Sequence, residues 1–292
     1  MDDRAALRGI VYVLRKGVSW ADVPTERIGC SGVTAWRRLR DRTEAGVWPR
    51  LHAALLTELR RAGLLGPGRL RSGWVPRPGP QRGDHTGPSP VDRARPGSKH
   101  HVIVDRHGTP LAVTLTGGNR HDVTQLLPLL DAVPPFRGLR GRLRRKPRRR
   151  YADRGYDFDK YRRLLWKRGV KPVIARRGVA HGSGLGKVRW VVERAFAWLH
   201  QFQRLRIRYV RRADLHQGLL EPACSLICLR RLRTSFRNDQ LGVAVPVLRP
   251  QVLDRAFAEL EQVCPPAWRG TEGLWLQGTA SSWGHVPQLT GG

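Results

Sequence analysis

Two carboxylates in this chain have surroundings suited to metal-dependent chemistry. Asp153 closes the strand-like run Arg150 to Asp153 and precedes Arg-Gly-Tyr-Asp, so its side chain should emerge at the carboxyl edge of a sheet beside an exposing turn. Glu193 is the lone acid of RWVVERAFAWLH, a helix otherwise apolar or basic. A strand-end acid and a helix acid can converge on one metal site, because carboxylate oxygens are hard ligands. Each has a plainer alternative. Asp153 can cap its own turn, and Glu193 can pair with Arg189 or Arg194.

The elements that must position these acids follow from apolar spacing. Leu7, Ile10, Val11 and Leu14 predict an amphipathic helix over residues 3–16, ended by Gly17. Ser19 can cap a short helix over Trp20 to Val23. Val33, Trp36, Leu39 and Arg40 predict another helix, and Trp48 to Leu65 a further one. With Arg37, Arg38 and Arg40 clustered on the penultimate helix, residues 1–65 read as a helix-turn-helix domain whose basic helix could enter a major groove. The alternative is a small bundle with ordinary surface arginines.

Residues 66–98 change character: LLGPGRLRSGWVPRPGPQRG shows no apolar periodicity and predicts an irregular linker. Regular structure resumes with two β-rich runs, His101 to Asp105 and Thr109 to Thr116, joined as a hairpin by Arg-His-Gly. Asp122 to Leu130 then reads as helix, Arg150 to Asp153 as strand, Phe158 to Arg168 as helix and Lys171 to Ala175 as strand. Val188 to Leu205 and Leu215 to Leu232 read as long helices. The class is α/β, a mixed sheet with helices on its faces, preceded by a small helical domain. The segment from 237 to 292, rich in Pro, Gly, Gln and Trp, is expected to be poorly ordered.

Charge narrows the partners. The chain has 54 Lys and Arg against 23 Asp and Glu, a net +31 over 292 residues. Self-repulsion on that scale is relieved by a polyanion, and phosphate neutralisation gives strong, salt-sensitive affinity. Codon bias toward Arg, Gly and Pro is the alternative source of the excess. The loop Arg137 to Arg150, with nine basic residues in fourteen positions, reads either as a phosphate track or as a solvated loop. Cys30, Cys224, Cys228 and Cys264 show neither close pairing nor zinc spacing, which implies a reduced, cytoplasmic protein; no apolar run suggests a membrane span or signal. A basic RNA-binding protein would want aromatic stacking platforms, and five Tyr and six Phe at core spacing argue against it.

The segments KHHVIVDRHGTPLAVTLTGGNRHDVTQLLPLL, YADRGYD and RWVVERAFAWLHQFQRLRIR resemble the catalytic core of bacterial insertion-sequence DDE transposases, the group conventionally numbered five. RGIVYVLRKGVSWADVP and TAWRRLRDRTEAGVWPRL resemble their N-terminal helical domain. The likeness runs from about residue 3 to residue 236. It implies a ribonuclease-H-like core over residues 99–236 in which three carboxylates hold two Mg²⁺ (or Mn²⁺) ions for DNA cleavage and strand transfer, on double-stranded DNA ends that an oligomer would pair. Two such cations stabilise the attacking and leaving oxygens of an in-line displacement. The resemblance makes Asp153 the second acid and Glu193 the third. It assigns Arg189 to DNA contact near the metals, and His121 and Asp122 to support of the active site. The family's signature tyrosine falls on Gly186 and its DNA-contacting lysine on His200.

The first acid of that family falls near Gly73, inside the Gly-Pro-Arg-rich stretch. Plausible codons for the family's His-Val-Arg-Ala-Leu-Lys-Gly, read from their third base, give Arg-Pro-Gly-Pro-Gln-Arg, the residues from Arg77 to Arg82. The stretch therefore reads as an out-of-frame patch bounded by two compensating indels. Loss of the first acid leaves two readings: a transposase by descent with impaired chemistry, or a DNA-binding relic.

Overall fold

A computed structural model describes residues 2–135, 147–178 and 186–240, with only the backbone at 186–188 and 236–240. Most of the Arg137 to Arg150 loop, Cys264 and the expected tail beyond Gln240 lie outside the described residues.

The chain opens with four helices, α1 (Asp3–Lys16), α2 (Thr25–Ile28), α3 (Gly32–Glu44) and α4 (Val47–Arg61). Asp2 accepts from the N–H groups of Arg4 and Ala5, which caps α1, and Gly17 ends it in the left-handed region at φ 71°. The expected helix over Trp20 to Val23 does not form. Asp22 accepts from the Ser19 N–H and closes a turn, so the chain delays its next helix until after Pro24.

The irregular linker expected over 66–98 is also corrected. Residues Arg69–Pro78 form β1, a ten-residue strand near the centre of the sheet. It pairs antiparallel with β3 (Pro96–Val104) and, over Arg69 to Arg71, parallel with β5 (Arg149–Ala152). Its prolines are tolerated for a geometric reason. Gly79 N–H donates to Pro96 O, so alternate N–H groups face β3, and those of Pro76 and Pro78 would point away from it. Composition suggested a linker; alternation of the hydrogen-bonding edge permits a strand.

The remaining strands are the two-residue β2 (Gly87–Pro88), β4 (Pro110–Gly117) and β6 (Lys171–Ile174). The sheet runs β4, β3, β1, β5, β6, with β2 also on β3; the hairpin edge is antiparallel and the β1, β5, β6 edge parallel. The Arg106 to Gly108 turn joins β3 to β4, as the sequence indicated. A 3-10 turn, Asp122–Gln125, leads into α5 (Leu126–Asp131), and α6 (Asp159–Lys167) connects β5 to β6. Helix α7 (Gly186–His200) is followed by a 3-10 turn and by α8 (Ala213–Gln240), which runs past its expected end at Leu232.

Helices cover both faces. Val102, Val104 and Val113 join α1, α3, α7 and part of α8 in one apolar cluster. Leu70, Ile103, Leu111 and Ala112 join α4, α5 and α6 in the other. Because strand side chains alternate, Trp74 packs with the second cluster while Val75 packs with the first. Gly73 therefore belongs to the α7 face.

Candidate functional site

Asp153 stands immediately after β5, and its carboxylate accepts from the Gly155 N–H at 2.8 Å, capping the turn Arg154–Tyr156. The turn is held from below by Asp157, which accepts from Arg162 Nε and from the Arg177 N–H, both at 2.7 Å. That tie joins the end of β5 to the chain leaving β6 and fixes where Asp153 sits. Crowding against the sheet edge raises the Asp153 pKa; the Gly155 bond and nearby Arg189 pull it down, while Asp122 adds a further rise.

Glu193 lies on the exposed side of α7 and pairs with Arg189 at 2.9 Å, one turn earlier. Arg194 is engaged elsewhere: it donates to His107 O and lies over the rings of Trp190 and Trp198. Arg189 thus faces both acids, bonded to Glu193 and within electrostatic reach of Asp153. The plain alternatives raised by the sequence are present in the structure: Asp153 caps its own turn and Glu193 pairs with Arg189.

Asp122 reaches the same edge from the far side. Lys99, almost fully buried, donates to Asp122 at 2.8 Å and to Arg120 O at 2.9 Å, and its ammonium lies 4.3 Å from the centre of the Trp74 ring. His121 caps the following 3-10 turn through Val123 N–H and meets Phe158 edge-on at 5.1 Å. Lys99 and Trp74 were missed by sequence reasoning. The signal was faint: a lysine inside a β-rich run is unusual unless a buried acid meets it.

Parallel pairing runs from Arg69 with Arg149 to Arg71 with Tyr151, so Gly73 and Asp153 each lie two residues beyond the last paired position, and Gly73 faces α7. A Cβ built at Gly73 would stand 2.8 Å from Val192 Cγ1, the residue before Glu193. Gly73 therefore faces the residue next to Glu193, and Arg189 links Glu193 electrostatically to Asp153. Among the described residues, no group of three or more His, Cys, Asp or Glu is placed to hold a metal ion.

The other expected contacts are dispersed. His200, at the end of α7, is half-buried against Arg77, stacks on Phe196 and has its pKa pushed down to about 4 by burial and by Arg77 and Arg206. On α3, Arg37 is exposed, Arg38 lies 3.6 Å from Asp3, and Arg40 bonds Asp41 at 2.8 Å beside the Trp36 ring. No helix among the described residues is long and apolar enough to cross a membrane.

Comparison with known proteins settles the family. Residues 75–228 match the family described as "Transposase DDE domain", and residues 1–52 match "Putative transposase of IS4/5 family". The chain belongs to the DDE transposase family. The "Putative transposase for insertion sequence element IS402" of Burkholderia cepacia is 63% identical over 155 residues, covering 53% of this chain and 72% of that protein. The "Insertion element IS402 uncharacterized 16.2 kDa protein" of the same organism is 59% identical over 63 residues, 21% of this chain and 42% of that one. The "Transposase for insertion sequence element IS1106" of Neisseria meningitidis serogroup B is 28% identical over 155 residues, 48% of each chain. This DDE transposase thus combines a helical N-terminal region with a mixed-sheet, ribonuclease-H-like core. Its family works on DNA and generally uses divalent metal ions.

Proposed function

We propose that this chain is a DDE transposase by descent that binds the double-stranded DNA ends of its insertion sequence and, as it stands, does not cut them. One observation supports the reading: the family's first acid falls near Gly73, which here lies in β1, two residues past the last pairing with β5, with no side chain and facing Val192. Two Mg²⁺ or Mn²⁺ ions need several hard oxygen ligands held together. Asp153 and Glu193 supply two carboxylates, Arg189 occupies one of them, and the third position offers only hydrogen. The residues present do not fit a two-metal centre, so no cleavage step is assigned to them. What remains is a basic protein whose exposed Arg37 can meet phosphates, with Arg189 held by Glu193, and whose copies would assemble on paired ends and compete with intact relatives.

The origin of the defect is the out-of-frame patch. Two separate proteins named for a single insertion element, IS402, each match part of this chain. Nucleotide sequence around codons 66–83 tests it: an alternative frame should encode a strand bearing Asp, and its absence would refute the patch.

The functional test is nicking of supercoiled DNA carrying element ends, with Mg²⁺ or Mn²⁺, by the unaltered chain and by Asp153→Ala and Glu193→Ala chains. DNA binding without nicking in all three is expected. Nicking by the unaltered chain alone would favour a second reading, in which Asp122, close enough to raise the Asp153 pKa, replaces the lost acid.

A further inference from the structure

The opposite edge of the sheet carries a second charged feature, remote from the carboxylates. A cleft of about 580 Å³ is lined by Arg60, Arg69, Arg106, Arg148 and Arg149 around the turn from Leu65 to Gly68. Its walls are built, not incidental. The N–H groups of Arg148 and Arg149 both donate to Gly68 O, at 3.0 and 3.1 Å, which brings the chain entering β5 against the chain entering β1. Arg69 and Arg149 are then direct partners across the two strands. Arg106 lies over Gly66, where an added Cβ would meet its Cγ at 2.8 Å, so the glycine makes room for the guanidinium.

None of the five forms a salt bridge among the described residues; Arg60 bonds Leu65 O, and Arg106 bonds His107. The adjacent acid, Asp105, is buried and already accepts from the N–H groups of Gly66, His107 and Thr109 at 2.8 to 2.9 Å. Arg69, Arg106, Arg148 and Arg149 are exposed. Five clustered cations without a counter-charge repel one another unless an anion joins them. Among the described residues the lining holds no aromatic ring on which a base could stack, so the ligand is read through phosphate.

We propose that this cleft grips the sugar-phosphate backbone of duplex DNA, away from the carboxylate edge. The proposal rests on the DNA-binding reading and adds the surface that does the holding. Arg149 opens β5 and Asp153 follows its end, four residues apart, about 13 Å along a strand. That is about four base-pair steps at 3.4 Å each, so one duplex lying along β5 spans both edges.

The test uses the full chain and a labelled duplex of about 30 base pairs of arbitrary sequence, with anisotropy read over a KCl series. Each phosphate contact contributes about 0.9 to the slope of log affinity against log salt. The variant Arg69→Ala/Arg148→Ala/Arg149→Ala should make that slope shallower by about 2 to 3 and weaken binding by about tenfold or more. Lys160→Ala/Arg163→Ala/Lys167→Ala removes as many charges from the exposed side of α6 and should change the slope by less than about 1. Circular dichroism melts show whether both variants remain folded. Equal slope losses in the two variants would overturn the cleft while leaving DNA binding intact; no duplex binding by the unaltered chain would overturn both. Displacement of the duplex by inorganic phosphate at constant ionic strength would reassign the cleft to a small anion and overturn the proposal.

Discussion

The two ends of β1 and β5 make opposite uses of the same pair of strands. At the ends where the strands begin, Arg69, Arg148 and Arg149 gather unopposed positive charge. Beyond the far end of β5 stands Asp153, with Gly73 midway along β1, and Glu193 is neutralised by Arg189. A phosphate-binding edge tolerates substitution because each arginine contributes separately to a diffuse electrostatic attraction. A metal centre does not, because the ligands must surround the same ion. Binding can therefore outlast chemistry in one fold.

The strand shared by the two edges gives the most destructive way to break the comparison. Leu70 is buried among the helices of the α4 face, and Leu70→Ala should cost about 2 to 5 kcal/mol, seen as a lowered melting temperature with both edges impaired together. Retained stability would show that β1 is not integral to the sheet. A more local break is Lys99→Met, which strands Asp122 in a partly buried position; a loss of about 3 kcal/mol is expected from uncompensated charge. Chemical denaturation measures it, and Lys99→Met/Asp122→Asn should recover much of the loss.

Acid should weaken the fold through buried imidazoles. His52 and His200 are pushed down to about 4, His101 and His216 to about 3, chiefly by burial. Unfolded histidines titrate near 6.5, so below that pH the unfolded chain binds more protons, and stability present above it is lost progressively toward pH 4 and 3. Each fully buried histidine among them contributes up to about 1.4 kcal/mol per pH unit in its window, and the half-buried His200 less. Melting temperature against pH checks this, and His216→Gln should flatten the curve. The smallest effect belongs to Glu193→Gln: its exposed pair with Arg189 should contribute only about 0.3 to 0.5 kcal/mol, so stability barely changes while Arg189 is released toward DNA.

The helices and the β3–β4 hairpin were legible because their burial follows periodicity: Ile10, Val13 and Leu14 on α1, and Val102 and Val104 opposite Ile103 on β3. Asp153 and Glu193 were legible because each is an acid in an apolar or basic setting. β1 was not. Its Gly and Pro residues hide a strand whose paired edge needs an N–H only at alternate positions. The ion pair of Lys99 with Asp122 and the five-arginine cleft depend on contacts between distant segments, which local pattern does not encode. The basic run entering β5 hinted at the cleft without giving its other wall, Arg60, Arg69 and Arg106.

The most direct experiment compares Mg²⁺-dependent nicking of supercoiled DNA bearing element ends by the unaltered chain and by Gly73→Asp/Val192→Ala, the second change clearing the space that the new side chain needs. Binding without nicking is expected from the unaltered chain. The double variant should cut about a hundredfold or more above it, the scale on which one active-site group commonly matters. Nicking by the unaltered chain that disappears in Asp153→Ala and Glu193→Ala would contradict the claim that Gly73 has cost this protein its chemistry.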